Sequence, residues 1–158
     1  MTRLASLPAA WQPQAAEFRC LHCGSLITGN PRISGVLHRN HCPLCLWSRH
    51  MDLHRPGDRL AACRSLMSPV GLTLKLSRKK YNPFTQGELM LVHRCVDCGK
   101  LSINRIAADD DPQHILNVLH QFPHLDPVAH QQLTQPDIQI LGSAEQVLVQ
   151  ARLFGSRA

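Results

Sequence analysis

Three Cys-x-x-Cys units, two stretches of alternating apolar residues and two helix-cap signals near the C-terminus predict a small α+β fold. In that fold, zinc-ribbon-like β-hairpins are stapled by metal and followed by short C-terminal helices. The 158 residues fit one domain with a tail, or two very small domains. Hydrophobic residues make up 44% of the chain but aromatic ones only 4%, so few rings are available for a core. A chain this small buries a modest fraction of its surface. Seven cysteines and ten histidines are the obvious source of further cross-linking. No run of about 18 apolar residues is present, so no transmembrane helix and no membrane partner are expected. The apolar stretch near the N-terminus is broken and does not read as a signal peptide, which points to the cytoplasm.

The cysteines are arranged for metal. Cys20-Leu-His-Cys23, Cys42-Pro-Leu-Cys45 and Cys95-Val-Asp-Cys98 are the three units, and Cys63 stands alone. Eighteen residues separate Cys23 from Cys42, a zinc-ribbon spacing. Two thiolates three positions apart on a tight turn can face one ion, and two such turns complete a tetrahedron. Gly24 and Gly99 follow their units directly, where a positive φ lets backbone N–H groups face the sulfurs. An odd cysteine count argues against a disulfide framework. Seven cysteines fall one ligand short of two sites, so one or two zinc ions are expected, with two favoured. His41, His50 and His93 are the candidates for the eighth ligand. His50 is favoured, because His41 abuts Cys42 and His93 is cramped against Cys95. Cys63 is either a ligand or a small buried hydrophobe. The pairing stays open: the first unit joins the second, or it joins the third, which it resembles.

Charge is uneven. Residues 1–105 hold 15 Lys+Arg against 5 Asp+Glu, a formal +10, whereas residues 106–158 hold 2 against 6, a formal −4. A basic body fits a polyanionic partner, usually nucleic acid. Arg39, Arg49, Arg55, Arg78, Lys79 and Lys80 are the candidate phosphate contacts. Asp58 with Arg59, and Asn104-Arg105 with Asp109-Asp110, read better as ties between loops.

Along the chain, residues 1–16 read as a flexible leader, with Pro8 and Pro13 opposing a long helix. Residues 17–46 read as short strands and turns, with Gly29-Asn-Pro31 marking a turn. Residues 46–54 suit one or two helical turns. Leu72, Leu74 and Leu76 alternate with polar residues in a strand over 70–78, and residues 88–94 form a second strand leading into the third unit. Residues 81–87 are the loop between them. Asp111 caps a helix with Pro112 at its first position, and Ile115, Val118, Leu119 and Phe122 share one face. Ser143 and Gln146 suggest a capping box before a helix carrying Val147, Ala151 and Phe154, with Gly155 as its stop. Between these helices, residues 133–141 hold a short strand or nothing regular.

The segment Arg39-Asn-His-Cys-Pro43 adds a resemblance. It is followed in order by Leu44-Cys-Leu-Trp-Ser-Arg-His-Met-Asp52, Pro56-Gly-Asp-Arg59, Cys63, Met67-Ser-Pro69, His93-Arg-Cys-Val-Asp-Cys-Gly99 and Asn104-Arg-Ile-Ala-Ala-Asp-Asp110. This resembles the bacterial RNHCP domain family over about residues 17–111, leaving 112–158 as a C-terminal helical segment. The resemblance implies a zinc-ribbon-like domain without a defined reaction. It supports a metal role for Cys20, Cys23, Cys42, Cys45, Cys95 and Cys98, and a site role for Cys63 and His50. The functional expectation is a zinc-binding module that binds RNA or a ribonucleoprotein surface. The alternative is a zinc-stapled protein–protein adaptor. A metal-dependent nuclease of the HNH type, drawing on Asn40-His41, His50-x-Asp52 and Asp109-Asp110, is less favoured, because no strand–strand–helix pattern surrounds these groups. No small-molecule substrate is evident, and a non-enzymatic role is preferred.

Overall fold

A computed structural model describes residues 17–76, 87–120, 126–134 and 138–155. The chain is a small α+β protein built on antiparallel sheets. Strands β1 (Phe18–Arg19) and β2 (Leu26–Ile27) form a two-stranded hairpin. Asn30 caps the short helix α1 (Pro31–Ser34), its side chain accepting from the Arg32 N–H, so the turn expected at 29–31 is the helix start. The second sheet contains β3 (Ser48–Arg49), β4 (Leu66–Lys75), β5 (Glu88–Cys95), β6 (Leu101–Arg105) and β7 (Ile138–Leu141). One edge of β4 carries β5 along its length, and β6 lies beyond β5. The other edge takes β3 at its start and β7 at its end. Pro69, which has no N–H for the ladder, sits at the one register shift between β4 and β5.

The helical turns expected over 46–54 are absent, and β3 occupies their centre. Arg49 N–H donates to the Asn40 carbonyl and His50 N–H to that of Ser65. With those amides committed to carbonyls distant in sequence, no i→i−4 ladder can form there. Farther along, Asp58 accepts from the N–H groups of Leu53, His54, Arg55 and Leu60, and Asp52 from those of Gly57 and Arg59. These two carboxylates set the loop over 52–60. Gly57 has φ 85°, and a Cβ there would lie 2.8 Å from the His38 ring.

Asp111 caps α2 (Pro112–Leu119), accepting from Gln113 and His114 N–H groups. An unanticipated helix, α3 (Pro127–Leu133), repeats the same Asp-Pro start at Asp126. Helix α4 (Gln146–Phe154) follows a single 3-10 turn over Ser143–Glu145. The expected Ser143 cap is replaced by the Glu145 carboxylate, which reaches back to the Gly142 N–H at 2.7 Å.

The main core is aliphatic. Leu46, Leu72, Leu74 and Leu91 meet Ile115, Leu116, Val118 and Leu119 of α2, Leu141 of β7 and Val149 of α4. The tail therefore packs onto the sheet and completes its core. On α4 the buried residue is Val149, with Leu153 against the core, whereas Val147 and Phe154 are 78% and 62% exposed. The apolar face expected at Val147, Ala151 and Phe154 is thus not the packed one. Expectations for residues 1–16, the loop at 81–86, Phe122 and Arg78-Lys79-Lys80 lie outside the described residues.

Candidate metal centres

The three Cys-x-x-Cys turns share one backbone design. The residue after each second cysteine donates its N–H to the first cysteine's carbonyl: Gly24 to Cys20, Leu46 to Cys42 and Gly99 to Cys95. Each first cysteine donates to the carbonyl two residues past the second, in Ser25, Trp47 and Lys100. The residue after the second cysteine is left-handed every time, with φ 78°, 60° and 72°. Glycine meets this demand twice. At the second turn Leu46 adopts it against the ordinary preference of an L-residue. Its side chain is fully buried in the main core, and its carbonyl accepts from His93 Nε2 at 2.7 Å.

These turns form two tetrads. Cys20, Cys23, Cys42 and Cys45 make one, and His50, Cys63, Cys95 and Cys98 the other; in each, the four donor atoms lie within 4.8 Å of one another. The first unit therefore pairs with the second. In the first tetrad Sγ atoms of Cys20 and Cys45 are 3.6 Å apart, and those of Cys23 and Cys42 3.7 Å. In the second, Cys63 and Cys95 are 3.6 Å apart, and Cys98 Sγ is 3.4 Å from His50 Nδ1. A tetrahedron with Zn–S arms of ~2.3 Å has edges of about 3.8 Å between sulfurs, somewhat less where a nitrogen replaces one. A disulfide would bring two sulfurs to ~2.05 Å, far below these separations. All seven cysteines are free.

Electrostatics also call for a cation. Burial pushes the Cys42 and Cys45 thiols up. The Ser25 side chain and N–H bring Cys23 down to about 6. At Cys95, burial acts upward but the Cys98 and Asp97 N–H groups outweigh it and lower the thiol. At Cys63 the Ser65 N–H acts downward, yet burial and the neighbouring thiols raise it to about 11. Four thiolates this close cannot all ionise without a positive centre, and zinc supplies one. Burial lowers His50, keeping its imidazole neutral as a ligand must be. Its Nε2 is buried without a hydrogen-bond partner among the described residues. The donor sets, four thiols and three thiols with an imidazole, match structural zinc sites.

The pentapeptide links the first tetrad to the start of α2. The Arg39 side chain is fully buried; Nη1 donates to Asp109 at 2.8 Å and Nη2 to Asp110 at 3.1 Å. Its Nε donates to the His41 carbonyl. The Asn40 carbonyl accepts from Arg49 N–H and Ser48 Oγ. His41 Nε2 meets Asp110 at 2.8 Å, Cys42 is in the tetrad, and the Pro43 carbonyl accepts from Asp111 N–H. The expected phosphate role of Arg39 is therefore corrected: its guanidinium is enclosed and already holds two carboxylates. Asp109 and Asp110 tie to Arg39 rather than to Arg105, which pairs with Glu88. Asp110, expected as a loop tie to Asn104-Arg105, makes its ties to Arg39 and His41 instead.

Residues 15–116 match the family model of the RNHCP domain. The chain belongs to that family. No curated protein and no solved structure matches it. RNHCP membership and the two tetrads together support a zinc-binding module, and each tetrad could hold one zinc ion. Of the groups in the nuclease expectation, His50 lies in the second tetrad, Asp52 holds loop amides, and Asp110 holds Arg39 and His41. Arg49 and Arg55 are exposed. No helix among the described residues is long and apolar enough to cross a membrane.

Proposed function

We propose that this RNHCP domain uses zinc to order a basic surface for RNA or a ribonucleoprotein, in the cytoplasm. The observation that carries the reading is how the carboxylates are spent. Asp58 and Asp52 are turned onto loop amides, and Asp109 and Asp110 onto Arg39 and His41. Arg19, Arg32, Arg49, Arg55 and Arg64 have no carboxylate partner among the described residues, although Arg19, Arg49 and Arg64 donate to backbone carbonyls. Such guanidinium groups can take phosphate oxygens with little rearrangement. Arg78, Lys79 and Lys80 extend the candidate set. With two zinc ions and seven bound thiolates, residues 1–105 fall from +10 to +7, still strongly basic.

A protein–protein adaptor is the second reading. It rests on the apolar tips of the three cysteine turns, Leu21, Leu44 and Val96, each more than half exposed. Purification from cells with and without ribonuclease separates the two. RNA binding requires partner recovery that ribonuclease abolishes and an affinity that falls linearly in log salt. Recovery insensitive to ribonuclease, with no RNA affinity at low salt, favours the adaptor.

A further inference from the structure

A groove of about 270 Å³ runs beside the first tetrad. Phe18, Trp47, Met51 and Leu66 supply apolar surface, while Arg19 and Arg49 lie along it with Arg59. No Asp or Glu lines it. Phe18 and Trp47 are both half-buried, and His22 stacks on Trp47 with ring centroids 4.2 Å apart and planes 6° from parallel. Arg49 Nε donates to the Arg64 carbonyl, leaving its two terminal nitrogens without a protein acceptor among the described residues. Arg19 commits Nη1 to the Gly24 carbonyl. Arg59 is loosely held, 3.7 Å from Asp52. The backbone here is pinned by the tetrad and by β3, so these groups are presented on a fixed frame.

The geometry points to this groove as a site for one unpaired nucleotide of a single-stranded RNA, its base packed on Phe18 and Trp47 and its flanking phosphates on Arg49, Arg59 and Arg19. Every base has an apolar face for such a ring, and arginine forks suit phosphate. The volume has room for one base and none for a duplex, whose A-form grooves present their bases paired. The tetrathiolate must be counted against the phosphate, because Cys20 lines the groove and a four-cysteine zinc site is formally −2. With Asp52 included, arginines 19, 49 and 59 bring the local sum to a formal zero, so phosphate contact here rests on directed guanidinium donors rather than on net charge. The apolar floor decides between occupants: an acidic peptide would use the arginines and leave the rings unused.

This inference rests on the RNA reading above, and the test separates the two. Zinc-loaded full-length protein is titrated with labelled hexauridylate, hexaadenylate and a duplex RNA over a range of salt, with hexaglutamate as the competing acidic probe. Trp47→Leu should weaken single-strand binding about 5- to 150-fold, the range of one base–aromatic stack. Arg49→Gln and Arg59→Gln should each reduce the log–log salt slope by about 0.7. Zinc content is measured for every variant, and if Trp47→Leu loses metal, the two arginine variants decide alone. If the parent binds RNA and these variants bind equally well with the same slope, the groove is refuted while the RNA reading stands. If the parent binds neither single strands nor duplex, or binds only hexaglutamate, both fall together.

Discussion

Replacing Asp110 tests whether the pentapeptide acts as an internal clasp. Its side chain is fully buried and takes three donors: Arg39 Nη2 at 3.1 Å, His41 Nε2 at 2.8 Å and Ala107 N–H at 2.7 Å. Removing one member of a buried ion pair costs about 3–5 kcal/mol when the other charge is left alone. Here Arg39 keeps Asp109 at 2.8 Å, so the charge contribution sits at or below the lower end. The Ala107 N–H and His41 Nε2 lose their acceptor, at about 1–2 kcal/mol each. Asp110→Ala should therefore destabilise the protein by about 4 kcal/mol, a large share of the 5–15 kcal/mol typical of small domains. Asp110→Asn keeps an acceptor and should lose about half of that. Asp109 is 29% exposed, and Asp109→Asn should stay within about 1 kcal/mol. Urea unfolding at fixed free zinc measures all three, provided the m-value is constant. An Asp110→Ala variant within 1 kcal/mol of the parent would show that the enclosed guanidinium needs no such partner, and the clasp would be wrong.

Metal analysis should give two zinc ions per chain, and complete chelation should collapse the far-ultraviolet circular dichroism spectrum; a ratio near one removes the second tetrad. Cys63→Ser should halve the zinc content, whereas a full complement would return Cys63 to the role of a partly buried thiol. Gly99→Ala should destabilise by about 1–2 kcal/mol, because nothing lies within 4 Å of the added Cβ and the whole effect is the left-handed backbone. At Asp109 burial acts upward, but the Arg39 guanidinium prevails and holds the carboxyl below its usual range. The stability it contributes is present above the unfolded value of about 3.9 and is lost as pH falls through the lower folded value, which acid titration of unfolding will follow.

The metal centres were legible because their signal is local: two cysteines on one turn, repeated three times. The same holds for Asp111-Pro112 at the head of α2. What escaped local reading depends on distant partners. Arg39 looks like a free surface cation until Asp109, 70 positions on, is folded against it. His50 was the favoured eighth ligand, yet it reaches the tetrad from the end of a strand rather than from a helical turn, because β4 claims the backbone there. Strand β6 hides its apolar alternation among Ser102, Asn104 and Arg105. Helix α4 carries apolar residues on two faces, and only the position of β7 and α2 selects Val149 over Val147. The Asp126-Pro127 start of α3 could have been read by the same rule as Asp111-Pro112.

Leu46 belongs to three structures at once. It closes the turn of the first tetrad, its side chain fills the centre of the sheet core, and its carbonyl holds the imidazole two residues before Cys95. Disorder in the turn at Cys42–Leu46 would therefore be felt both at a leucine of the interior and at the strand that leads into the second tetrad.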